Sequence, residues 1–151
     1  MIRGVLPSRP LAAFCWTQCY DLPVSAVDEG ATMELIKFRI TNFRSVNDSG
    51  DIAVGDLTSL VGRNESGKSA LLLALATLSP AGGRQPLSKI KDFPRGRRLE
   101  ECKPDTPVVE SHWKLTADET AQMAKTLGHG DPITQVAIGR GYGPDAWVEL
   151  R

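Results

Sequence analysis

The run Gly62-Arg63-Asn64-Glu65-Ser66-Gly67-Lys68-Ser69 decides how this chain is read. It satisfies G-x-x-x-x-G-K-[ST], a spacing in which each fixed position meets a need of polyphosphate binding. Glycine at 62 and 67 permits positive φ and lets the backbone approach a ligand with no Cβ in the way. The amides from Asn64 to Ser69 are then expected to face inward as an anion nest, at the positive end of the following helix. Lys68 is expected to reach the β- and γ-phosphates of a nucleotide, and the Ser69 hydroxyl to ligate Mg²⁺. The candidate nucleotide site therefore comprises Gly62, Arg63, Asn64, Glu65, Ser66, Gly67, Lys68, Ser69 and Ala70. Asn64, Glu65 and Ser66 contribute chiefly through their backbone.

The flanks fit the motif. Leu57-Thr58-Ser59-Leu60-Val61 reads as a buried strand running into the loop, and Ser69 to Leu78 as an apolar helix stopped by Ser79-Pro80. Upstream, Ile36, Phe38 and Ile40 alternate with Lys37, Arg39 and Thr41, the period of a half-buried strand. Asn47 to Gly50 is a turn cluster, followed by a short strand at Ile52 and Val54. Downstream, residues 81–107 read as a Pro- and Gly-containing loop with seven basic residues against four acidic ones. Its Arg95-Gly96-Arg97-Arg98 cluster reads as a solvated loop more than as a DNA contact, since Phe93 alone interleaves it with an aromatic ring. A strand at Val109 to Leu115 leads to Thr116-Ala117-Asp118-Glu119, a capping box that opens a helix ending near Gly128. A final hairpin pairs Ile133–Ile138 with Ala146–Leu150 around Gly139 to Asp145.

Composition narrows the classes. The 151 residues carry 18 Lys+Arg against 18 Asp+Glu, so no general attraction draws the chain to nucleic acid or anionic lipid. At 41% apolar and 24% charged it is neither collagenous, coiled-coil nor wholly disordered, and no apolar run is long enough to span a membrane. Three cysteines are too few for a disulfide framework; Cys15 and Cys19 find no second Cys/His pair to complete a zinc site. Unpaired thiols and the lack of a proper signal sequence imply a cytoplasmic chain. His112 and His129 stand apart, and Asp118 and Glu119 suit the first turn of a helix better than a metal pair. No residue is assigned a catalytic role.

Two stretches together carry a family resemblance: Leu35-x-x-Phe38-Arg39-Ile40-Thr41-Asn42-Phe43-Arg44-Ser45, then Leu57 through the loop to Leu72. An Asn-Phe-Arg-Ser strand end about 20 residues before such a loop resembles the amino-terminal part of an ATP-binding-cassette-like head. The subgroup is that of RecF, the structural-maintenance-of-chromosomes proteins and the overcoming-lysogenization-defect (OLD) nucleases. Asp92-Phe93-Pro94-Arg95 and Thr106 to Val109 also look like OLD-type segments. The resemblance implies an α/β fold of the P-loop NTPase class, present as the amino-terminal lobe only, with a mixed β-sheet and the loop helix. It implies ATP and Mg²⁺ as ligands, with Arg44 either touching the phosphates or holding the loop. It also implies a homodimer or a partner chain that supplies the rest of the head, and coupling to hydrolysis and DNA repair or cleavage in complete relatives.

The resemblance covers residues 33–151, a partial ATPase domain, and leaves 1–32 as an unmatched extension expected to be disordered. The strand of four apolar residues followed by Asp-Glu, the signature sequence and the nuclease domain are not found in this chain. Two alternatives stay open at this level: a non-functional truncated fragment, and a P-loop kinase of small substrates. A GTPase is not indicated, because no Asn-Lys-x-Asp string occurs.

Overall fold

The alternation that starts at residue 34 builds the longest strand of the sheet. In the computed structural model, which describes residues 2–6, 33–64, 66–78, 86–127 and 132–151, this is β2 (Glu34–Phe43), with Phe38, Ile40 and Phe43 buried. It turns sharply through Arg44 and Ser45 into β3 (Val46–Asp48), and β4 (Ile52–Ala53) also lies against it. Here β1 is Ile2–Leu6, β5 Pro107–Lys114, β6 Gln135–Gly141 and β7 Ala146–Leu150. The sheet order is β1-β7-β6-β5-β2-β3.

Every pairing among the described residues is antiparallel, where a mixed sheet was expected. The reason lies in Leu57–Val61. That run is not a strand: no described strand lies alongside it, and Leu57 and Val61 are 88% and 94% exposed. An apolar run becomes a buried strand only where a neighbour offers both a hydrogen-bonding edge and a face to pack on.

Three helices and one 3₁₀ turn complete the described part. Helix α1 (Lys68–Ala76) lays Ala70 and Ala74, one helical turn apart, on the sheet. They join Phe38, Ile40, Phe43, Phe93, Val108, Val109 and Tyr142 in the main core, with Leu71, Leu75 and Leu78 packed at its margin. At the far end of α1 the guanidinium of Arg140, only 1% exposed, donates to the Thr77 carbonyl (2.7 Å) and the Gly143 carbonyl (3.2 Å). A cation thus sits where the helix dipole is negative.

Helix α2 (Lys89–Asp92) and a 3₁₀ turn (Leu99–Glu101) lie inside the stretch read from sequence as loop. Helix α3 (Ala117–Leu127) starts on the expected capping box. The Glu119 amide donates to the Thr116 hydroxyl (3.4 Å), while the Glu119 carboxylate accepts from the Thr116 amide (2.9 Å). Met123 of α3 packs on a second cluster of Leu115, Ile133 and Val136.

The last hairpin forms with its boundary moved. Strand β6 continues through Gly139-Arg140-Gly141 because Trp147, directly across from Gly139, covers it so closely that a side chain there would collide with the indole. Ile2–Leu6 forms strand β1, antiparallel to β7, where an extension without structure was expected; residues 7–32, including Cys15 and Cys19, lie outside the described residues.

Candidate functional site

The site is built where two sequence motifs meet. At the end of β2, Asn42 (φ 51°) and Arg44 (φ 52°) both adopt the left-handed region. Asn tolerates this conformation and Arg does so at a cost, so the surroundings must hold both. They do. The Asn42 side chain donates to the Pro107 carbonyl (3.0 Å) and accepts from Arg97, and the Asn42 backbone carbonyl accepts from the Tyr142 hydroxyl (2.6 Å). Burial among apolar neighbours pushes the Tyr142 phenol well above its ordinary pKa, so it remains a donor. The Arg44 amide donates to the Asp92 carbonyl (2.6 Å), its guanidinium pairs with the Asp92 carboxylate (3.1 Å), and its Cζ lies 5.3 Å from the Phe43 ring centroid.

This strand end packs against the Gly-rich loop. Gly67 has φ +93°, and a Cβ built on it would stand 3.2 Å from the Ser45 Oγ and 3.3 Å from the Val46 Cγ2. Glycine at 67 is therefore required twice, by its conformation and by the approach of Ser45-Val46. Gly62 is different. Positive φ was expected there, but the described positive-φ glycines are Gly50 and Gly67; at 62 a Cβ would meet the Ser66 Oγ at 2.9 Å.

Gly67 caps α1, and its carbonyl accepts the first helical bond, from the Leu71 amide (3.0 Å). The amides of Lys68, Ser69 and Ala70 therefore have no acceptor within the helix. No side chain caps this end and its first turn carries no acid, which leaves it open to an anion. The Lys68 ammonium is held inside the loop by the carbonyls of Gly62 (2.7 Å) and Arg63 (2.6 Å). Ser69 is exposed beside it, and Asn64 lines the same space. The Ser66 amide donates to the Arg63 carbonyl (3.2 Å), so it closes a turn within the loop and is not a free member of the nest. Glu65 lies outside the described residues.

Loop, helix start and strand end together floor a cleft of about 880 Å³. The same cleft is lined by a segment that the sequence reading left in solvent: Lys91, Phe93, Pro94, Arg95, Gly96 and Arg97. Arg44 lines the cleft and bonds Asp92 across 48 positions of sequence. The signal that marked this segment in advance was the excess of basic residues over 81–107; its position could not be read from sequence. Among the described residues no group of three His, Cys, Asp or Glu is arranged to hold a metal. His112, read as lying on a polar face with no partner, is mostly buried and pairs with Glu110 (3.1 Å), away from the cleft lining.

An antiparallel sheet carrying a Gly-rich loop and an uncapped helix on one face defines an α/β domain of the P-loop type. The chain belongs to the AAA ATPase domain family, which matches residues 33–124. An uncharacterized protein of Methanocaldococcus jannaschii is 46% identical over 90 residues, covering 56% of this chain and 25% of that protein. The chain thus aligns with about a quarter of that relative's length. No solved structure matches it. Family membership makes nucleotide binding the expected property and ATP the expected ligand. Among the described residues no helix is long and apolar enough to cross a membrane.

Proposed function

We propose that this domain binds Mg-ATP, with the triphosphate seated over Gly67 at the start of α1. The observation that carries the reading is the Gly67 junction. A left-handed glycine pressed against Ser45 and Val46 leaves the first-turn amides of α1 without competing caps. Those amides and the Lys68 ammonium supply the donors and positive charge that a triphosphate requires. The residues proposed to hold the nucleotide are Gly62, Arg63, Asn64, Glu65, Ser66, Gly67, Lys68, Ser69 and Ala70, with Arg44 acting at the edge through Asp92. Ser69 is the proposed ligand of Mg²⁺, whose remaining coordination would come from phosphate oxygens and water.

The finer placement beside RecF and the OLD nucleases rests on the pairing of Asn42-Phe43-Arg44-Ser45 with the loop. The contact of Ser45 with Gly67 gives that pairing a physical reason. Coupling to DNA, a cytoplasmic location and a second copy or partner chain completing the head belong to the same proposal. Hydrolysis would need a carboxylate to place Mg²⁺ and water, a group that none of the described residues lining the cleft supplies.

Titration calorimetry with Mg-ATP tests the proposal. The native chain should bind saturably at one site, and Lys68→Ala should lose at least about tenfold in affinity, the weight of one charge-assisted contact. Equal affinities for the two proteins would overturn it.

A further inference from the structure

We propose that Lys91 and Arg95 form a second cationic wall that grips the phosphate tail of the ligand together with the Gly-rich loop. The inference deepens the Mg-ATP reading and rests on it.

Among the described residues, five cations line the cleft: Arg44, Lys68, Lys91, Arg95 and Arg97. Three already have partners. Arg44 is paired with Asp92, and Lys68 is held by loop carbonyls. Arg97 donates twice to the Glu101 carboxylate (2.9 and 2.8 Å), bonds the Asn42 side chain, and lies 5.3 Å over the Phe93 ring. Asp92 and Glu101 are thereby engaged, and no Asp or Glu is among the described residues that line the cleft. Lys91 and Arg95 make no side-chain hydrogen bond or ion pair with any described residue, yet both face the cleft and are exposed.

Their position is fixed by backbone, so they are not loose surface charges. Ser88 caps α2 by accepting from the Lys91 amide (3.3 Å). Phe93, 2% exposed, is locked edge-on against Tyr142 with ring centroids 5.7 Å apart. The Arg97 amide closes a turn onto the Pro94 carbonyl (3.0 Å). Lys91 and Arg95 stand two residues to either side of that buried ring, and the Asp92 carbonyl ties the segment to Arg44 at the strand end. Two cations with no ion pair to any described residue, lining one cleft with the uncapped start of α1, fit a ligand with several negative charges. A polyphosphate meets that description and a neutral nucleoside does not.

The test measures binding of Mg-ATP, inorganic tripolyphosphate and a short single-stranded DNA to four proteins: native, Lys91→Ala/Arg95→Ala, Lys91→Arg/Arg95→Lys, and Lys68→Ala. Because Lys91 and Arg95 bond no described side chain, thermal melts should show the double alanine variant folded like the native chain. The proposal expects that variant to lose at least about tenfold for both ATP and tripolyphosphate, and the charge-conserving variant to stay within about threefold of native. Loss for ATP with unchanged tripolyphosphate affinity would place the wall on the nucleoside and overturn the proposal. Loss confined to DNA would overturn it in favour of a nucleic-acid contact. If Lys68→Ala abolishes ATP binding while the double alanine variant binds normally, the second wall fails and the Mg-ATP reading stands. If Lys68→Ala has no effect, that reading fails first.

Discussion

Replacing Gly67 with alanine probes the junction on which the site depends. At φ +93° an L-residue sits outside its favoured regions, which costs roughly 1–2 kcal/mol for a single residue. The new Cβ would also stand 3.2 Å from the Ser45 Oγ and 3.3 Å from the Val46 Cγ2, closer than ordinary van der Waals contact. That crowding adds a fraction of a kcal/mol if Ser45 can rotate and more if the β2–β3 turn must shift, so the total is about 2 kcal/mol. Urea unfolding followed by circular dichroism reads this directly. With a slope of about 2 kcal/mol per molar, the midpoint should fall by roughly 1 M. Adding Ser45→Ala removes the nearer contact but leaves the backbone strain, so it should restore only a few tenths of a kcal/mol. Mg-ATP affinity should fall in both variants, because the loop cannot keep its curvature at 67. A Gly67→Ala protein with native midpoint and native ATP affinity would refute the reasoning.

Two further outcomes follow from the structure. Asp48 accepts from the Arg39 guanidinium and the Gly50 amide (2.8 Å), and Arg39 first, then Gly50, draws its carboxyl from 3.8 down to about 2. A carboxyl depressed in the folded state stabilises it above about pH 4, and that contribution is lost as the pH falls toward 2. NMR titration should find Asp48 near 2 in the native chain and higher in Arg39→Gln; a native value near 3.8 would contradict the pairing. Arg140→Met keeps the aliphatic stem but removes the donors to Thr77 and Gly143, and should cost about 2–4 kcal/mol. The melting temperature should then drop by several degrees, and an unchanged one would remove Arg140 from the structural account of α1.

What was legible in sequence was local. The alternation in β2, the capping box of Thr116 and Glu119, and the spacing of Gly67, Lys68 and Ser69 are each decided by residues a few positions apart. The strand and the capping box formed as their patterns implied, and Gly67 takes the left-handed turn expected of it, whereas Gly62 does not. The lining of the cleft by Lys91 to Arg97 was not legible, because it depends on Arg44 meeting Asp92 and Asn42 meeting Arg97 across 48 and 55 positions. Nor does any sequence pattern announce a left-handed arginine at 44, a conformation that persists only because Asp92 and Phe43 hold it. Leu57–Val61 failed for the opposite reason: its apolar composition was plain, but burial is a property of neighbours, and no described strand stands beside it. The same absence of cover leaves Leu72 and Leu73 of α1 exposed, although that helix is apolar on almost every side.

The most direct measurement follows the backbone amides of residues 64–70 by NMR as Mg-ATP is added. Shifts concentrated at Lys68, Ser69 and Ala70, saturating together and lost in Lys68→Ala, are the predicted result. Saturable ATP binding that leaves those three amides unmoved would contradict it, for the nucleotide would then be seated somewhere other than the start of α1.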